Sequence, residues 1–318
     1  MDLGLRGKVA IVAASSRGMG RATAMGLAAE GARVTMLART GADLDKAAAE
    51  VREKHRAEVL AIPADVTKSD DIRRVVRETV ARWGTVNILV NNAGGPTPGV
   101  FDDVDDAKWQ SAFELNLLST VRLVREVLPH MRKAGGGVII NLQSTSVKMP
   151  IDSLILSSAI RPGVIGLAKS LSRELGKDNI RVNNVLPGII MTDRQRQILA
   201  VWSQKMGKSF DETKRLREAE IPLGRMGDPE DVANMIVFLA SDRAKYVTGV
   251  TVQVDGGLVR SMMWTNPPQG CGAGRDGRGS TACAAPPSFF PFRAPVCRDI
   301  LPPVLTRATG GYRPPDHP

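Results

Sequence analysis

Cysteine is nearly missing from this sequence, which argues against a protein held together by disulfides. Three cysteines occur among 318 residues, and all lie close to the carboxyl terminus, at Cys271, Cys283 and Cys297. The residues before Cys271 contain no cysteine and cannot form a disulfide scaffold. A lack of cysteine over this length is typical of proteins from a reducing compartment. We therefore predict a cytoplasmic location.

Long apolar runs and metal-ligand spacings are also missing. No run approaches the ~20 residues that a membrane-spanning helix needs, and no signal-peptide pattern follows the first strand, so we predict no membrane association. The three histidines are too scattered to form a metal site. The formal charge of +10 suits either nucleic acid or a phosphate-bearing cofactor. Without zinc-finger spacing or an aromatic and basic RNA motif, we predict no nucleic-acid partner.

Tyrosine is the third scarce residue type. The only two are Tyr246 and Tyr312. A phenol is a common proton donor in enzymes because its pKa, near ~10, can be tuned toward neutrality. Any catalytic site built from the first 245 residues must therefore work without one.

The pattern of apolar residues alternates between strands and helices, which predicts an α/β fold. The predicted strands are Val9–Ala13, Arg33–Leu37, Val59–Ile62, Ile88–Val90, Gly137–Leu142, Arg181–Leu186 and Val250–Val254. The predicted helices are Arg21–Glu30, Ala42–Arg56, Ile72–Trp83, Trp109–Met131, Val164–Leu175 and Asp231–Leu239. Such alternation produces a Rossmann-type, doubly wound parallel sheet with helices on both faces.

The composition changes close to Trp264, and this change sets the predicted domain boundary. Residues 265–318 hold eleven of the twenty prolines and show no periodic apolar pattern. Such a segment cannot bury enough apolar surface to offset its ordering entropy. We predict a single domain over residues 1–264 and a disordered tail over 265–318, whose removal leaves the melting temperature unchanged.

A glycine-containing turn between the first strand and the first helix is typical of a phosphate-binding site. Gly18 and Gly20 allow the backbone to approach a pyrophosphate closely, and the helix that follows directs its free N–H groups at that anion. The turn supplies six candidate cofactor-binding residues: Ser15, Ser16, Arg17, Gly18, Met19 and Gly20.

Further motifs in a fixed order indicate a family. The turn reads Ala14-x-x-x-Gly18-x-Gly20, and the later motifs are Asp65-Val66, Asn91-Asn92-Ala93-Gly94, Asn116, Ser144, Pro187-Gly188, Thr192 and Asp255-Gly256-Gly257. In these motifs the chain resembles the short-chain dehydrogenase/reductase family over roughly residues 5–259. The one departure in the turn is alanine at the first glycine position. The resemblance implies a homo-oligomer, a tetramer or a dimer.

The resemblance also implies a set of cofactor contacts. Asp65 and Val66 would hold the adenine edge, and Asn91, Ala93 and Gly94 would line the floor beneath the adenosine ribose. The segment after the sixth strand would meet the nicotinamide and the nearby phosphate through Pro187, Gly188, Ile190 and Thr192.

The end of the second strand indicates which nicotinamide cofactor is preferred. An acidic side chain there would accept hydrogen bonds from the ribose hydroxyls and repel a 2′-phosphate. The sequence instead reads Leu37-Ala38-Arg39-Thr40, without an acid. Arg17 in the turn and Arg39 could bind a phosphate through charge-assisted hydrogen bonds. We therefore predict NADP (NADPH) rather than NAD.

The catalytic residues are where the sequence departs from the family. The usual set is Asn, Ser, Tyr and Lys; Asn116 and Ser144 match it, while the tyrosine and lysine positions hold Ser157 and Arg161. The chain is similar in this to a branch labelled β-ketoacyl carrier-protein reductases, which lacks the tyrosine and carries a Ser-x-x-x-Arg segment. By the resemblance, Arg161 would also hold the nicotinamide ribose.

The two replacements have different chemical capacities. An aliphatic alcohol is too weak an acid to replace a phenol, whereas arginine keeps the positive charge and can stabilise a developing alkoxide. Pro162 disfavours helix at the residue before it. We therefore expect the helix to begin at Pro162, with Arg161 at its edge rather than on a continuous Ser157–Arg161 face.

Two functions remain open at this point. The first is an NADP-dependent oxidoreductase acting on a small carbonyl compound or secondary alcohol, with Ser144 and Arg161 stabilising the oxyanion. The second is a catalytically impaired nucleotide-binding protein that serves as a sensor or assembly partner. Segment 193–221 would contact a substrate but follows no recognisable pattern. In it, Arg194 and Arg196 either meet an anionic substrate or are simply exposed, and three apolar residues form either a lid or ordinary packing: Trp202, Met206 and Phe210.

Overall fold

The computed structural model describes residues 1–261, and the predicted tail over 265–318 lies outside the described residues. Seven parallel strands form one sheet in the order β3-β2-β1-β4-β5-β6-β7. The predicted Rossmann-type fold is confirmed. The strands are β1 Val9–Ala13, β2 Arg33–Ala38, β3 Val59–Pro63, β4 Ile88–Asn91, β5 Gly137–Leu142, β6 Ile180–Pro187 and β7 Thr251–Val254.

The helices follow the strands in sequence. They are α1 Gly18–Ala29, α2 Gly41–His55, α3 Ser69–Trp83, α4 Asp106–Phe113, α5 Ser119–Lys133, α6 Ile155–Glu174, α7 Asp193–Met206, α8 Phe210–Glu218 and α9 Pro229–Ala240. Across residues 1–261, no helix is both long enough and apolar enough to cross a bilayer.

Strand β1 lies at the centre of the sheet and explains why helices are needed on both faces. All five of its residues are buried. Ala10 and Val12 join one apolar cluster, while Ile11 and Ala13 join the cluster on the opposite face. Because side chains alternate across a strand, a strand that is apolar at every position must be covered on both sides.

The strand order reverses at β1, which places a crevice at the carboxyl ends of β1 and β4. Chain connections from β1 to β3 run in one direction across the sheet, and those from β4 to β7 run in the other. Ligands of open α/β sheets bind at such switch points. The glycine turn after β1 and the Asn91–Gly94 segment at the end of β4 both lie at this crevice.

One predicted helix is divided in the structure. The expected Trp109–Met131 helix consists of α4, a π-helical turn over Glu114–Leu118 and α5. A π turn inserts one residue into the helical ladder and is common at functional sites. The apolar periodicity persists through the turn, so the sequence pattern does not reveal it.

Segment 193–221, which showed no pattern in the sequence, forms helices α7 and α8. Thr192 caps α7 by accepting a hydrogen bond from the Gln195 backbone N–H, and Ser209 and Glu212 form a capping box at the start of α8. These capping residues are a signal that sequence reasoning missed. Short, strongly charged helices have little apolar periodicity to find.

Candidate functional site

The turn between β1 and α1 has a backbone shape that favours glycine. Gly18 has a φ of +56°, and a Cβ at this position would lie 3.4 Å from Thr192 Cγ2. A Cβ at Gly20 would overlap the carbonyl oxygen of Ala14. Ser15 ties the turn to β2, because its Oγ accepts a hydrogen bond from Leu37 N at 3.1 Å. The predicted residues Gly18 and Thr192 therefore meet at the amino terminus of α1.

Ala14 occupies the first glycine position of the motif and keeps the conformation that glycine would adopt. Its φ is +49°, in the left-handed region. An L-residue other than glycine is strained there by roughly 1–2 kcal/mol. Ala14 therefore lies in a conformation that favours glycine, although it carries a side chain.

Arg17 and Arg39 leave neighbouring strand ends and are both exposed. Ala13, the last residue of β1, pairs with Leu37 of β2. Arg17 follows four residues after Ala13, and Arg39 follows two residues after Leu37. Both guanidinium groups therefore start from the same edge of the sheet, as a shared phosphate ligand would require.

Three asparagines join adjacent strands by their side chains: Asn91 at the end of β4, Asn141 near the end of β5 and Asn184 within β6. Asn91 Nδ2 donates to Asn141 Oδ1 at 2.8 Å, and Asn141 Nδ2 donates to Asn184 Oδ1 at 2.9 Å. All three residues are buried. This ladder fixes the Asn91 side chain, and Asn141 and Asn184 were not among the predicted residues. The recurrence of asparagine near the end of three predicted strands was the available signal.

Asn116 lies in the π turn and contacts the segment that follows β4. Its Nδ2 donates to the Gly94 carbonyl at 3.0 Å. The Oδ1 atoms of Asn91 and Asn116 are buried without a hydrogen-bond partner. A small enclosed cavity of about 10 Å³ is lined in part by these two asparagines, Gln143 and Arg161. This volume accommodates a single water molecule.

Helix α6 begins at Ile155, so the expectation that it would begin at Pro162 is wrong. Proline removes one N–H from the ladder, yet the helix continues through it to Glu174. Packing explains the difference: the helix buries residues on both sides of Pro162, including Leu156, Ser157 and Val164, and that burial outweighs the local preference. Ser157 and Arg161 therefore lie on one continuous face.

Arg161 is the centre of a chain of buried hydrogen bonds. Its Nε donates to Ser157 Oγ at 3.1 Å, and its Nη1 donates to Gln143 Oε1 at 3.2 Å. Ser157 Oγ is also 2.9 Å from Ser146 Oγ, and Ser146 N donates to Ser144 Oγ at 3.1 Å. The structure thus brings together three predicted catalytic residues and adds Gln143 and Ser146, which carried no sequence signal beyond proximity to Ser144.

The guanidinium of Arg161 is strongly perturbed by its surroundings. Only 6% of Arg161 is exposed. Burial, followed by the positive charge of Arg194, lowers the pKa of Arg161 to about 10. Its hydrogen-bond partners Ser157 and Gln143 are neutral, and no carboxylate in residues 1–261 forms an ion pair with it. A buried cation without a counter-ion is unusual, and it is a property of functional sites more often than of structural ones.

The remaining predicted residues lie at the same edge of the sheet. Asp65 Oδ1 accepts hydrogen bonds from the Thr67 N–H and hydroxyl, which turns the chain after β3, while Val66 is buried. Pro187 ends β6, and a Cβ at Gly188 would lie 2.7 Å from Asp255 Cα.

A larger cavity of about 580 Å³ lies between the segments after β6 and β7, and its lining includes the predicted residue Ile190.

Comparison with known proteins identifies the family. The family model described as enoyl-(acyl carrier protein) reductase matches residues 13–259. The chain is 36% identical over 251 residues to the 3-oxoacyl-(acyl-carrier-protein) reductase FabG of Staphylococcus epidermidis, a match that covers 79% of this chain and 98% of the relative. The chain belongs to the short-chain dehydrogenase/reductase family.

Solved structures agree with this assignment. L-sorbose reductase from Gluconobacter frateurii, complexed with NADPH and L-sorbose, superposes with a TM-score of 0.80 and 35% identity over 82% of this chain and all of that one. An actinorhodin polyketide ketoreductase variant with NADPH superposes with a TM-score of 0.76 and 33% identity over 80% of this chain and 98% of that one.

Proposed function

We propose that this protein is an NADPH-dependent carbonyl reductase, or a secondary-alcohol dehydrogenase in the reverse direction, whose oxyanion is stabilised by Arg161. The observation that carries the proposal is the Ser157–Arg161 face of α6. It holds a buried guanidinium without an ion-pair partner in the hydrogen-bond network that leads through Ser157 and Ser146 to Ser144. Relatives that resemble this chain over nearly their whole length are reductases, and two of the solved ones hold NADPH.

The described residues fit a nicotinamide dinucleotide. Gly18 and Gly20 leave room at the start of α1, whose first N–H groups suit a pyrophosphate. A Cβ at Gly94 would meet nothing within 4 Å, so there is open space above the predicted ribose floor. Arg17 and Arg39 are available to the 2′-phosphate. These contacts support NADPH as the cofactor.

In the reaction, each residue has a distinct task. NADPH, when bound, would supply the hydride to the carbonyl carbon and become NADP⁺. Ser144 would donate a hydrogen bond to the carbonyl oxygen, and Arg161 would stabilise the negative charge that develops there. Preorganised donors of this kind contribute ~10²–10³-fold to turnover. Arg161 is held in place for this task by Ser157 and Gln143.

The proton that completes the alcohol would come from bulk solvent by way of one water molecule. Such a water in the small cavity would donate one hydrogen bond to the buried Oδ1 of Asn116, pass its other proton to the alkoxide, and regain a proton from solvent, so that no hydroxide is left in the site. Asn116 would then support the proton supply without being the acid itself. Ser157 is poorly suited to this role because its hydroxyl is already shared between Ser146 and Arg161.

The second candidate is a nucleotide-binding protein without turnover. It is favoured by one observation: the only tyrosine in residues 1–261, Tyr246, is fully exposed and follows α9, far along the chain from the Ser144 network. In that case the sensor or assembly role would require binding alone.

Turnover measurements separate the two candidates. The purified protein is mixed with NADPH and a panel of ketones and aldehydes, and both NADPH consumption and alcohol formation are measured. We expect consumption that depends on the carbonyl compound and matches the alcohol formed. Tight NADPH binding without alcohol formation from any member of the panel would favour the nucleotide-binding role.

A further inference from the structure

The neighbours of Arg161 accept hydrogen bonds from its guanidinium but do not neutralise its positive charge. Both partners, the Ser157 hydroxyl and the Gln143 amide oxygen, are neutral acceptors. A glutamate at position 143 would have nearly the same shape and would cancel the charge. With glutamine there instead, the guanidinium remains available to a negative group from outside the protein.

A second guanidinium, that of Arg194, lies against the segment after β4, which Asn116 also contacts. Arg194 extends from the first turn of α7 onto the segment after β4. A Cβ added to Gly95, in that segment, would lie 2.8 Å from Arg194 Nη1. The neighbouring carbonyl, that of Gly94, accepts the hydrogen bond from Asn116. Within the described part of the chain, no acidic side chain forms an ion pair with Arg194.

Two uncompensated cations at one site disfavour each other unless an anion lies between them. Arg194 is near enough for its charge to act on Arg161. The proposed phosphate contacts of the cofactor are the start of α1, Thr192, Arg17 and Arg39, whereas Arg194 Nη1 lies at Gly95, beside the carbonyl that accepts the hydrogen bond from Asn116. The anion that would satisfy Arg161 and Arg194 therefore belongs to the substrate.

We infer that the substrate is an oxo acid, with its carboxylate held by Arg194 and its carbonyl oxygen at Ser144 and Arg161. This inference rests on the proposed reductase function. The planar fork of a guanidinium matches a carboxylate with two parallel hydrogen bonds. A phosphate ester would use the same donors, so the experiment includes one.

The test compares matched acidic and neutral substrates. Initial rates with NADPH are measured for pyruvate against methyl pyruvate, acetoacetate against methyl acetoacetate, and dihydroxyacetone phosphate against dihydroxyacetone. Arg194→Met is the test variant, and Lys205→Met is the control, because Lys205 is also exposed and lies at the other end of the same helix. Binding of each acid to the protein in complex with NADP⁺ is measured by calorimetry, which does not depend on turnover.

We expect an oxo acid to have a higher kcat/KM than its ester. Arg194→Met should lower kcat/KM for the acid by about tenfold or more, the effect of one charge-assisted contact, and should leave the ester and the NADPH Kd unchanged. Lys205→Met should change none of these values. Preference for dihydroxyacetone phosphate over all carboxylates would overturn the carboxylate assignment.

Other outcomes separate the inference from the function on which it rests. Equal losses for acid and ester, or a weaker NADPH Kd in Arg194→Met, would show that Arg194 serves the fold or the cofactor, and the inference would be wrong while the reductase stands. Binding of an oxo acid that depends on Arg194 but leads to no turnover would support the anion site and contradict the reductase.

Discussion

The two ends of the site use positive charge in opposite ways. At the β1 end, defined by the glycine turn with Arg17 and Arg39, the guanidinium groups are exposed. At the α6 end, defined by Ser144, Ser157 and Arg161, the guanidinium is buried and its pKa is lowered. An exposed cation without an anion costs the fold little, whereas a buried one costs several kcal/mol. The buried arginine is therefore the stronger indication of a function.

The same contrast applies to the departures from the family pattern. At the β1 end, Ala14 replaces glycine and the backbone still adopts the left-handed conformation. At the α6 end, the resemblance predicts Ser157 and Arg161 at the tyrosine and lysine positions, and the helix presents both side chains on one face. Only at the α6 end does the replacement change the available chemistry.

The largest predicted effect tests which residue at the α6 end supports turnover. Arg161→Ala should lower kcat by ~10²-fold or more, the loss expected for one oxyanion donor. Ser157→Ala should cost little, because a neutral hydroxyl without a base is a poor acid. Steady-state rates on an active carbonyl substrate decide this, with Arg173→Ala, exposed on the same helix, as the control. A severe loss in Ser157→Ala with near-normal Arg161→Ala would make Ser157 the proton donor instead.

The next effect is at the β1 end. Arg39→Ala should weaken NADPH binding by about tenfold, the value of one charge-assisted hydrogen bond of about 1.4 kcal/mol, and leave the NADH Kd unchanged. Nicotinamide fluorescence titration measures both constants. Arg77→Ala, an exposed arginine on α3, should change neither. The parent should bind NADPH more tightly than NADH, and an unchanged NADPH/NADH ratio in Arg39→Ala would contradict a 2′-phosphate contact.

A stability measurement extends the comparison of the two ends. The folded pKa of Arg161 is below that of a free guanidinium, so the folded state holds fewer protons between pH 10 and the ordinary value. Folding stability therefore rises with pH through that window, and the full cost of the charge is present at neutral pH. Arg161→Met should stabilise the protein without cofactor by about 1–2 kcal/mol at pH 7.

The control for that variant is Arg181, which is also partly buried. It donates hydrogen bonds to the carbonyls of Val247 and Ser241. Burial lowers the pKa of Arg181, and the negative charge of Asp242 offsets part of that shift. Arg181→Met should therefore destabilise the fold. Denaturant unfolding at pH 7 measures the free energy of unfolding of both variants. Destabilisation by Arg161→Met would show that Arg161 stabilises the fold and is not retained at a cost in stability for its function.

The smallest effect concerns Ala14. Ala14→Gly should raise the free energy of unfolding by about 0.5 kcal/mol, because relief of the left-handed strain is partly offset by the greater freedom of glycine in the unfolded chain. Thermal unfolding measures it. Ala29→Gly, at the last residue of α1, should have the opposite sign. A loss of stability in Ala14→Gly would mean that the turn is not strained.

The sequence by itself determined the strands and most of the helices, and it predicted the positions that we propose meet a dinucleotide. These depend on local rules: apolar alternation, glycine in a turn, and the order of strand ends at one edge of the sheet. For that reason Val9–Ala13 and Gly137–Leu142 were predicted with the bounds that the structure shows.

Only the tertiary structure decided where α6 begins and which groups surround Arg161. Local preference put the start of α6 at Pro162, and packing moved it to Ile155. Gln143, which contacts Arg161, and Ser146, which contacts Ser157, lie in the segment after β5, so both acquire their roles through contacts across the fold. The proximity of Arg194, more than thirty positions further along the chain, has the same origin: burial and charge depend on neighbours in space, which no local pattern records.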